Sequence, residues 1–246
     1  MNNSLNSLCD ALKQIFLQLK PQSQALSFLI LTGRANQGKS TLMRQSNFDE
    51  YPIDADGAHI YFNQHGVIVE LGETWINQSP HKLEHTLKQL NRVHRLLKIT
   101  GIMLCLDINE LLTAKHNELK DLLKANAKLL ERFGLSLHYP VDVAIMVTKM
   151  DLLAGFCDFF QSEHPSDLAK PMGFSIYNPL QPTKISEQFK TKFEQLVEQL
   201  GQQVTGKIHS IRSNVKRTLI REFPLQVASL RNLMQPLISS ISSRIS

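Results

Sequence analysis

Ser27-Phe28-Leu29-Ile30-Leu31-Thr32-Gly33-Arg34-Ala35-Asn36-Gln37-Gly38-Lys39-Ser40-Thr41 decides how this chain is read. A hydrophobic run flows directly into G-x-x-x-x-G-K-S. The apolar run predicts a buried strand, and the residues from Lys39 onward predict a helix. In that setting the spacing has a mechanism. Gly33 and Gly38 permit backbone angles that turn successive N–H groups inward around a phosphate, with Asn36 and Gln37 in the same arc. Lys39 reaches the outer phosphate oxygens, the Ser40 hydroxyl ligates Mg²⁺, and Thr41 completes the candidate binding set. A helix beginning near Lys39 adds the positive end of its dipole. With Gly near 7% of residues, such a match arises by chance in roughly one chain of this length in a hundred. The competing reading is a glycine-containing strand–helix turn without a ligand.

A second candidate element lies far downstream. Thr148-Lys149-Met150-Asp151 directly follows the apolar run Val143-Ala144-Ile145-Met146-Val147. The pattern [NT]-K-x-D after a strand reads guanine. An Asp151 carboxylate accepts from N1–H and the exocyclic amine, a pair that adenine does not present. The Lys149 stem would lie over the base. The alternative is that Asp151 caps a following helix. Between the two elements, a GTPase-like chain carries Asp-x-x-Gly, whose Asp supports Mg²⁺ and whose Gly N–H meets the γ-phosphate. Here the segment reads Val67-Ile68-Val69-Glu70-Leu71-Gly72-Glu73. Glu70 keeps the charge for a Mg²⁺ or catalytic role, together with Lys39. Glu73 replaces the glycine, and no glutamine follows to orient water. A carboxylate there repels the γ-phosphate. The residues favour binding of GTP or ATP with Mg²⁺ over hydrolysis; the alternatives are a working GTPase or ATPase with Glu70 on Mg²⁺ and a partner supplying the missing groups, and a structural module with an empty pocket.

The other chemistry-bearing residues carry less. His81 and His85 lie four apart, but H-K-L-E-H lacks the H-E-x-x-H order, which favours a surface helix. His59 and His65 flank an expected edge strand. Trp75 is expected in the core or an interface. Cys105 and Cys157 sit in apolar runs and are expected to be buried and inert, and with Cys9 they are too few and scattered for a disulfide framework.

Apolar runs at 28–31, 67–69, 102–106 and 143–147 alternate with amphipathic stretches at 80–96 and 116–133. Asn126 is the one polar interruption of the second stretch. Residues 47–66 read as loop followed by a short edge strand, and a helix is expected from Leu152 to Phe160. Such alternation predicts a parallel sheet covered on both faces, with ligands beyond the carboxyl ends of the strands. An amphipathic helix precedes it and ends at Pro21. From about 184 the period is helical throughout, and Pro224 and Pro236 divide it into two or three helices. The expected organisation is an N-terminal helix at 1–26, a nucleotide-binding domain at 27–183 and a helical extension at 184–246. The fold class is α/β: a Ras-like P-loop three-layer sheet with helices on both faces, plus an all-helical C-terminal extension.

The net charge of +5 is partly concentrated in Lys207, Arg212, Lys216, Arg217, Arg221, Arg231 and Arg244. The run reads first as a solvated helix face and second as a surface for anionic lipid or an acidic partner. No aromatic residues alternate with the charges, which disfavours nucleic acid. No apolar stretch reaches the roughly 18 residues that span a bilayer. The final residues continue an amphipathic pattern, so a piece of a longer protein is expected.

Pro140-Val141-Asp142-Val143-Ala144-Ile145-Met146-Val147-Thr148-Lys149-Met150-Asp151-Leu152-Leu153-Ala154-Gly155-Phe156 resembles the strand–TKxD–LLAGF signature of the IcmF/TssM family of bacterial secretion systems. Met172-Gly173-Phe174, Leu106-Asp107-Ile108-Asn109-Glu110-Leu111-Leu112 and Arg221-Glu222-Phe223-Pro224-Leu225-Gln226 resemble further family elements. The resemblance implies a Ras-like domain followed by helices, at the cytoplasmic face of the bacterial inner membrane. It would be held there by membrane segments outside this chain. It also implies a DotU/TssL-type partner and other secretion-complex subunits. Gly33, Gly38, Lys39, Ser40, Thr148, Lys149 and Asp151 match family positions. Glu70-Leu71-Gly72-Glu73 departs from the family's Asp-Thr-Ala-Gly, which points to the IcmF of a type IVB (Dot/Icm) system rather than a type VI TssM.

Overall fold

A computed structural model describes residues 2–19, 26–95, 97–168, 170–176, 183–209 and 211–242. The elements run α1 (Asn2–Leu19), β1 (Ser27–Thr32), α2 (Lys39–Arg44), β2 (Asp49–Tyr51), β3 (Ala58–Asn63), β4 (Gly66–Leu71), α3 (Glu73–Ile76), α4 (Pro80–Arg92), β5 (Gly101–Asp107), α5 (Ile108–Thr113), α6 (His116–Leu137), β6 (Asp142–Thr148), α7 (Phe156–Phe160), α8 (Pro165–Leu168), α9 (Thr183–His209) and α10 (Asn214–Ser242). The chain forms two compact units. One comprises Met1–Asp107 and Lys128–Thr148, the other Ile108–Ala127 and Lys149–Ser246.

The first unit is built on a six-stranded sheet of order β2-β3-β4-β1-β5-β6. β4, β1, β5 and β6 are parallel, as their apolar runs predict. β2 and β3 are antiparallel, so the sheet is mixed rather than wholly parallel, and 47–66 holds two strands rather than one. The reversal is made at Asn63, whose side-chain Oδ1 accepts the N–H groups of His65 and Gly66 at 2.8 and 3.2 Å. That contact folds β3 back onto β4. The parallel arrangement with an antiparallel arm joined through β4 is the expected Ras-like mixed sheet.

Alternation in β1 sends Phe28 and Ile30 to one face and Leu31 to the other. Phe28 meets Phe16 of α1 edge-on at 5.5 Å, and α4 packs beside α1. On the opposite face Leu31, Ile68, Tyr61 and Cys105 close around Met43 of α2. Helices therefore cover both faces. Each of these buried apolar side chains contributes about 1.5–3 kcal/mol relative to exposure. β6 is less enclosed than its composition implies: residues 142–144 are exposed, because β6 is the outermost strand and has no outer neighbour among the described residues.

In the second unit α9 and α10 form a long helical pair. Among the described residues the stretch forms two helices, within the expected two or three, but they do not divide at Pro224 and Pro236, which lie inside α10. Each removes one helix hydrogen bond, at a cost of about 3 kcal/mol. Burial of Ile220, Phe223, Val227, Leu230 and Leu237 along one stripe offsets this. The expected helix from Leu152 is instead a single 3-10 turn, Met150–Leu152, followed by Gly155 at φ 85° and then α7. α4 ends at Arg92, short of the expected 96. Pro21 and the chain's final four residues, on which two expectations rested, lie outside the described residues.

Candidate functional site

Two parallel neighbours build the site. β1 and β4 pair with Leu31 opposite Glu70 and Thr32 opposite Leu71, so their carboxyl ends meet at one edge of the sheet. The loop leaving β1 and the segment leaving β4 therefore face each other, as a sheet of this type requires of a ligand site.

The loop folds as its glycines predict. Gly33 has φ 147°, and a Cβ there would lie 2.6 Å from Gln37 Oε1 and 3.0 Å from the Cys105 carbonyl. No side chain fits. Gly38 precedes α2 at φ 75°, and Asn36 takes a left-handed φ of 61° that asparagine tolerates. α2 is only six residues long, so its dipole is a lesser contributor than the sequence implies. Thr41 is exposed on α2.

Lys39 is buried. Its Nζ donates to the carbonyls of Gly33 at 3.2 Å and Arg34 at 2.7 Å, and lies 3.8 Å from Glu70 Oε1. Ser40 Oγ donates to Glu70 Oε2 at 3.2 Å. Tyr61 of β3 donates its hydroxyl to the same carboxylate oxygen at 3.3 Å. Burial, then the charges of Glu70 and Glu50, push the Tyr61 hydroxyl well above its ordinary range. The structure thus brings Lys39, Ser40 and Glu70 together and adds Tyr61. Sequence spacing could not find Tyr61, because its contact depends on the β3–β4 register.

Two further side chains engage the loop. Gln37 is buried, and its Oε1 accepts the Arg34 N–H at 2.8 Å. Glu73, the first residue of α3, reaches across so that its Oε1 accepts the Ala35 N–H at 3.0 Å. Thr148 closes the far side: its buried hydroxyl lies 2.7 Å from the Gln37 carbonyl and 3.2 Å from that of Leu106. Lys149 and Asp151 belong to the second unit. Lys149 precedes the 3-10 turn at φ 57°, and Asp151 is exposed within that turn rather than capping a helix.

The donor set fits the expected cofactor. A serine hydroxyl and one carboxylate are hard oxygen ligands of the kind Mg²⁺ uses when phosphates and water supply the rest. Glycine at residue 33 lets the loop backbone lie close against Gln37 and the Cys105 carbonyl. Among the described residues no cluster of three His, Cys, Asp or Glu side chains offers an all-protein metal cage.

The remaining candidates resolve simply. His81 and His85 are exposed on α4. His59 pairs with Glu50 at 2.8 Å. Trp75 is buried, and its indole donates to the Asp56 carbonyl at 2.8 Å. Asn126 is buried and donates to the Leu122 carbonyl one turn back. Cys157 is exposed rather than buried, because α7 turns Phe159 inward and Cys157 outward.

Gly155, in the Leu153-Ala154-Gly155-Phe156 signature, packs so closely on α10 that a Cβ would lie 2.3 Å from the Leu219 carbonyl. Phe156, Phe159 and Phe160 surround Phe223 at 4.8–5.9 Å between ring centres. Phe174 packs tilted against Phe189 and edge-on against Phe193 of α9. The signature residues are therefore packing residues of the second unit. Three of the seven basic residues of the tail are paired within the same unit: Lys207 with Glu163, Lys216 with Asp158 and Arg231 with Glu194.

The family described as the IcmF-related N-terminal domain matches residues 77–244. That stretch contains 148–151 and the helical pair and begins after the Gly33–Ser40 loop. The type VI secretion system component TssM1 of Pseudomonas aeruginosa is 22% identical over 239 residues, covering 88% of this chain. The chain spans about a fifth of that relative's length, 21%. A solved structure of an ADP-ribosylation-factor-like GTP-binding protein, the small COPII coat GTPase SAR1 of Encephalitozoon cuniculi in complex with GDP, has a TM-score of 0.37 at 13% identity. It covers 92% of this chain and 91% of its own, and at that score it adds nothing to the strand order.

Proposed function

This chain belongs to the IcmF-related N-terminal domain family, and from that premise we propose that it is a nucleotide-binding regulatory or scaffold domain of an inner-membrane secretion-system component. In this reading it stands at the cytoplasmic face, held by membrane segments outside this chain. It stabilises the secretion complex through a DotU/TssL-type partner, and hydrolysis is slow or absent. The departure at Glu70-Leu71-Gly72-Glu73 supports a type IVB system within this proposal.

One observation carries the reading: Lys39 Nζ and Ser40 Oγ converge on Glu70 at the mouth of a loop that only glycine can line at residue 33. Lys39 and Ser40 would hold the phosphates and Mg²⁺, and Mg²⁺ when bound neutralises phosphate charge. Asp151 would read the guanine edge. The Glu70 carboxylate already accepts from Ser40 and Tyr61, which supports a holding role for it over activation of a water. A second reading, a structural module without nucleotide, is favoured by Lys39 being spent on the Gly33 and Arg34 carbonyls.

Calorimetric titration of the chain with GTP, GDP and ATP in Mg²⁺, followed by phosphate-release measurement on the same sample, separates the readings. Binding without release is expected. Failure to bind any nucleotide establishes the structural module, and release abolished by Lys39→Ala establishes a working enzyme. Asp151→Ala is expected to weaken GTP by about tenfold or more and leave ATP unchanged. Equal losses refute the guanine reading.

A further inference from the structure

Glu73 holds a position that no phosphate-handling role requires of a glutamate. It is the third residue after Glu70, where a GTPase-like chain presents a glycine N–H to the terminal phosphate. Its carboxylate reaches across to the loop and accepts the Ala35 N–H at 3.0 Å. The neighbouring Arg34 N–H is already taken by Gln37 Oε1 at 2.8 Å. The opening arm of the loop, which faces the segment leaving β4, thus receives an anionic oxygen from the protein itself.

The element that carries Glu73 is anchored. The Gly72 N–H donates to the Gly57 carbonyl at 2.8 Å, and the Trp75 indole donates to the Asp56 carbonyl at 2.8 Å. Arg132 donates to the Ile76 and Gln78 carbonyls at 2.9 and 2.6 Å. Trp75 and Ile76 are buried. The carboxylate therefore projects from a fixed base, and retreating from the loop would require it to give up the Ala35 contact. Glu70 adds a second carboxylate on the β4 side, 3.8 Å from Lys39. Lys39 and Ser40 stand deeper, at the start of α2, where Lys39 would exchange the Gly33 and Arg34 carbonyls for an inner phosphate.

We propose that Glu73 is a specificity determinant that stands in for the terminal phosphate, so that the pocket takes nucleoside diphosphates in preference to triphosphates. The inference rests on the nucleotide-binding reading given above. A third phosphate would meet a like charge and would have to displace it from the Ala35 N–H, whereas a diphosphate would meet neither obstacle. The domain then holds a diphosphate as a resident ligand, and its state does not depend on hydrolysis.

The test is calorimetric titration of the wild-type chain, Glu73→Ala and Glu73→Gln with Mg²⁺-GDP and Mg²⁺-GTP, with ADP and ATP in parallel, after circular dichroism has established that each variant is folded. Wild type is expected to bind the diphosphate about tenfold or more tightly than the triphosphate. Glu73→Ala is expected to tighten the triphosphate by about tenfold and to leave the diphosphate within about threefold. Glu73→Gln, which keeps an acceptor for Ala35 without the charge, is expected between the two. A wild-type preference for triphosphate, an unchanged preference in both variants, or a parallel gain for both nucleotides overturns the inference while the pocket stands. If folded wild type and Glu73→Ala bind neither nucleotide, the pocket reading falls and takes this inference with it.

Discussion

Cys105 lies directly beneath the loop, among Leu31, Met43, Tyr61 and Ile68, with no exposed surface. Burial pushes its thiol from the ordinary 9.0 up to about 11; Lys39 opposes that rise and Glu70 adds to it. The sign of the consequence is fixed by linkage. A group whose folded pKa is raised contributes stability that is complete below its unfolded pKa and is lost as pH climbs through the folded value. Stability should therefore fall between pH 9 and 11, by about 3 kcal/mol for this group, and Tyr61 adds a further loss at the alkaline end. Denaturant unfolding from pH 8 to 11 should show the decline, and Cys105→Ala should flatten its first part. Thiol labelling at pH 8 gives an independent check: Cys157, exposed on α7, should react at once, and Cys105 only on unfolding. The meeting of Lys39, Ser40 and Glu70 was legible at this scale because the motif spacing sets all three at the carboxyl ends of neighbouring strands. The capture of the Ala35 N–H by Glu73 was not, because a side chain's reach depends on where α3 starts.

At the scale of elements, Gly155 tests whether a family signature is chemistry or packing. An alanine there would force φ 85° on an L-residue and press its Cβ to 2.3 Å from the Leu219 carbonyl, a backbone atom of α10 that cannot swing away. Gly155→Ala should cost about 2–3 kcal/mol or more in chemical denaturation. Gly134 in α6 and Gly201 in α9 meet open space, so alanine at either should instead stabilise by about 0.5–1 kcal/mol. Comparable effects at all three positions would refute the packing role. The four parallel strands were readable because continuous apolar runs mark strands enclosed by neighbours. β2 and the antiparallel direction of β3 were not, since Asp49-Glu50-Tyr51 owes its strand state to pairing with β3, and β3 takes its direction from its pairing with β4. The prolines misled for the same reason. Propensity counts the lost hydrogen bond of Pro224, while the aromatic cluster on neighbouring Phe223 lies in α7 and far from it in the chain.

For the whole molecule, the sequence reads as a nucleotide-binding fold with helices appended after residue 183, yet the chain does not run through its two units in turn. It passes from one to the other after Asp107, Ala127 and Thr148, so that no single cut releases either intact. Within the second unit, Phe159 is buried against Phe223 of α10, and Phe174 rests on Phe189 and Phe193 of α9. Lys207 of α9 lies over the Phe159 ring at 4.5 Å and pairs with Glu163. Removing α9 and α10 would expose that aromatic cluster and leave Glu163 and Asp158 without their lysine partners. Uncovering an apolar patch of this kind favours association over solubility. A chain truncated after residue 182 should therefore aggregate or bind a hydrophobic dye strongly, while the 246-residue chain elutes as a discrete species with little dye binding. Size-exclusion chromatography with dye fluorescence distinguishes the outcomes. A truncated form that is discrete, dye-silent and cooperatively unfolding would mean that the helical pair is an appendage after all, and that the aromatic contacts decorate a unit able to stand without them.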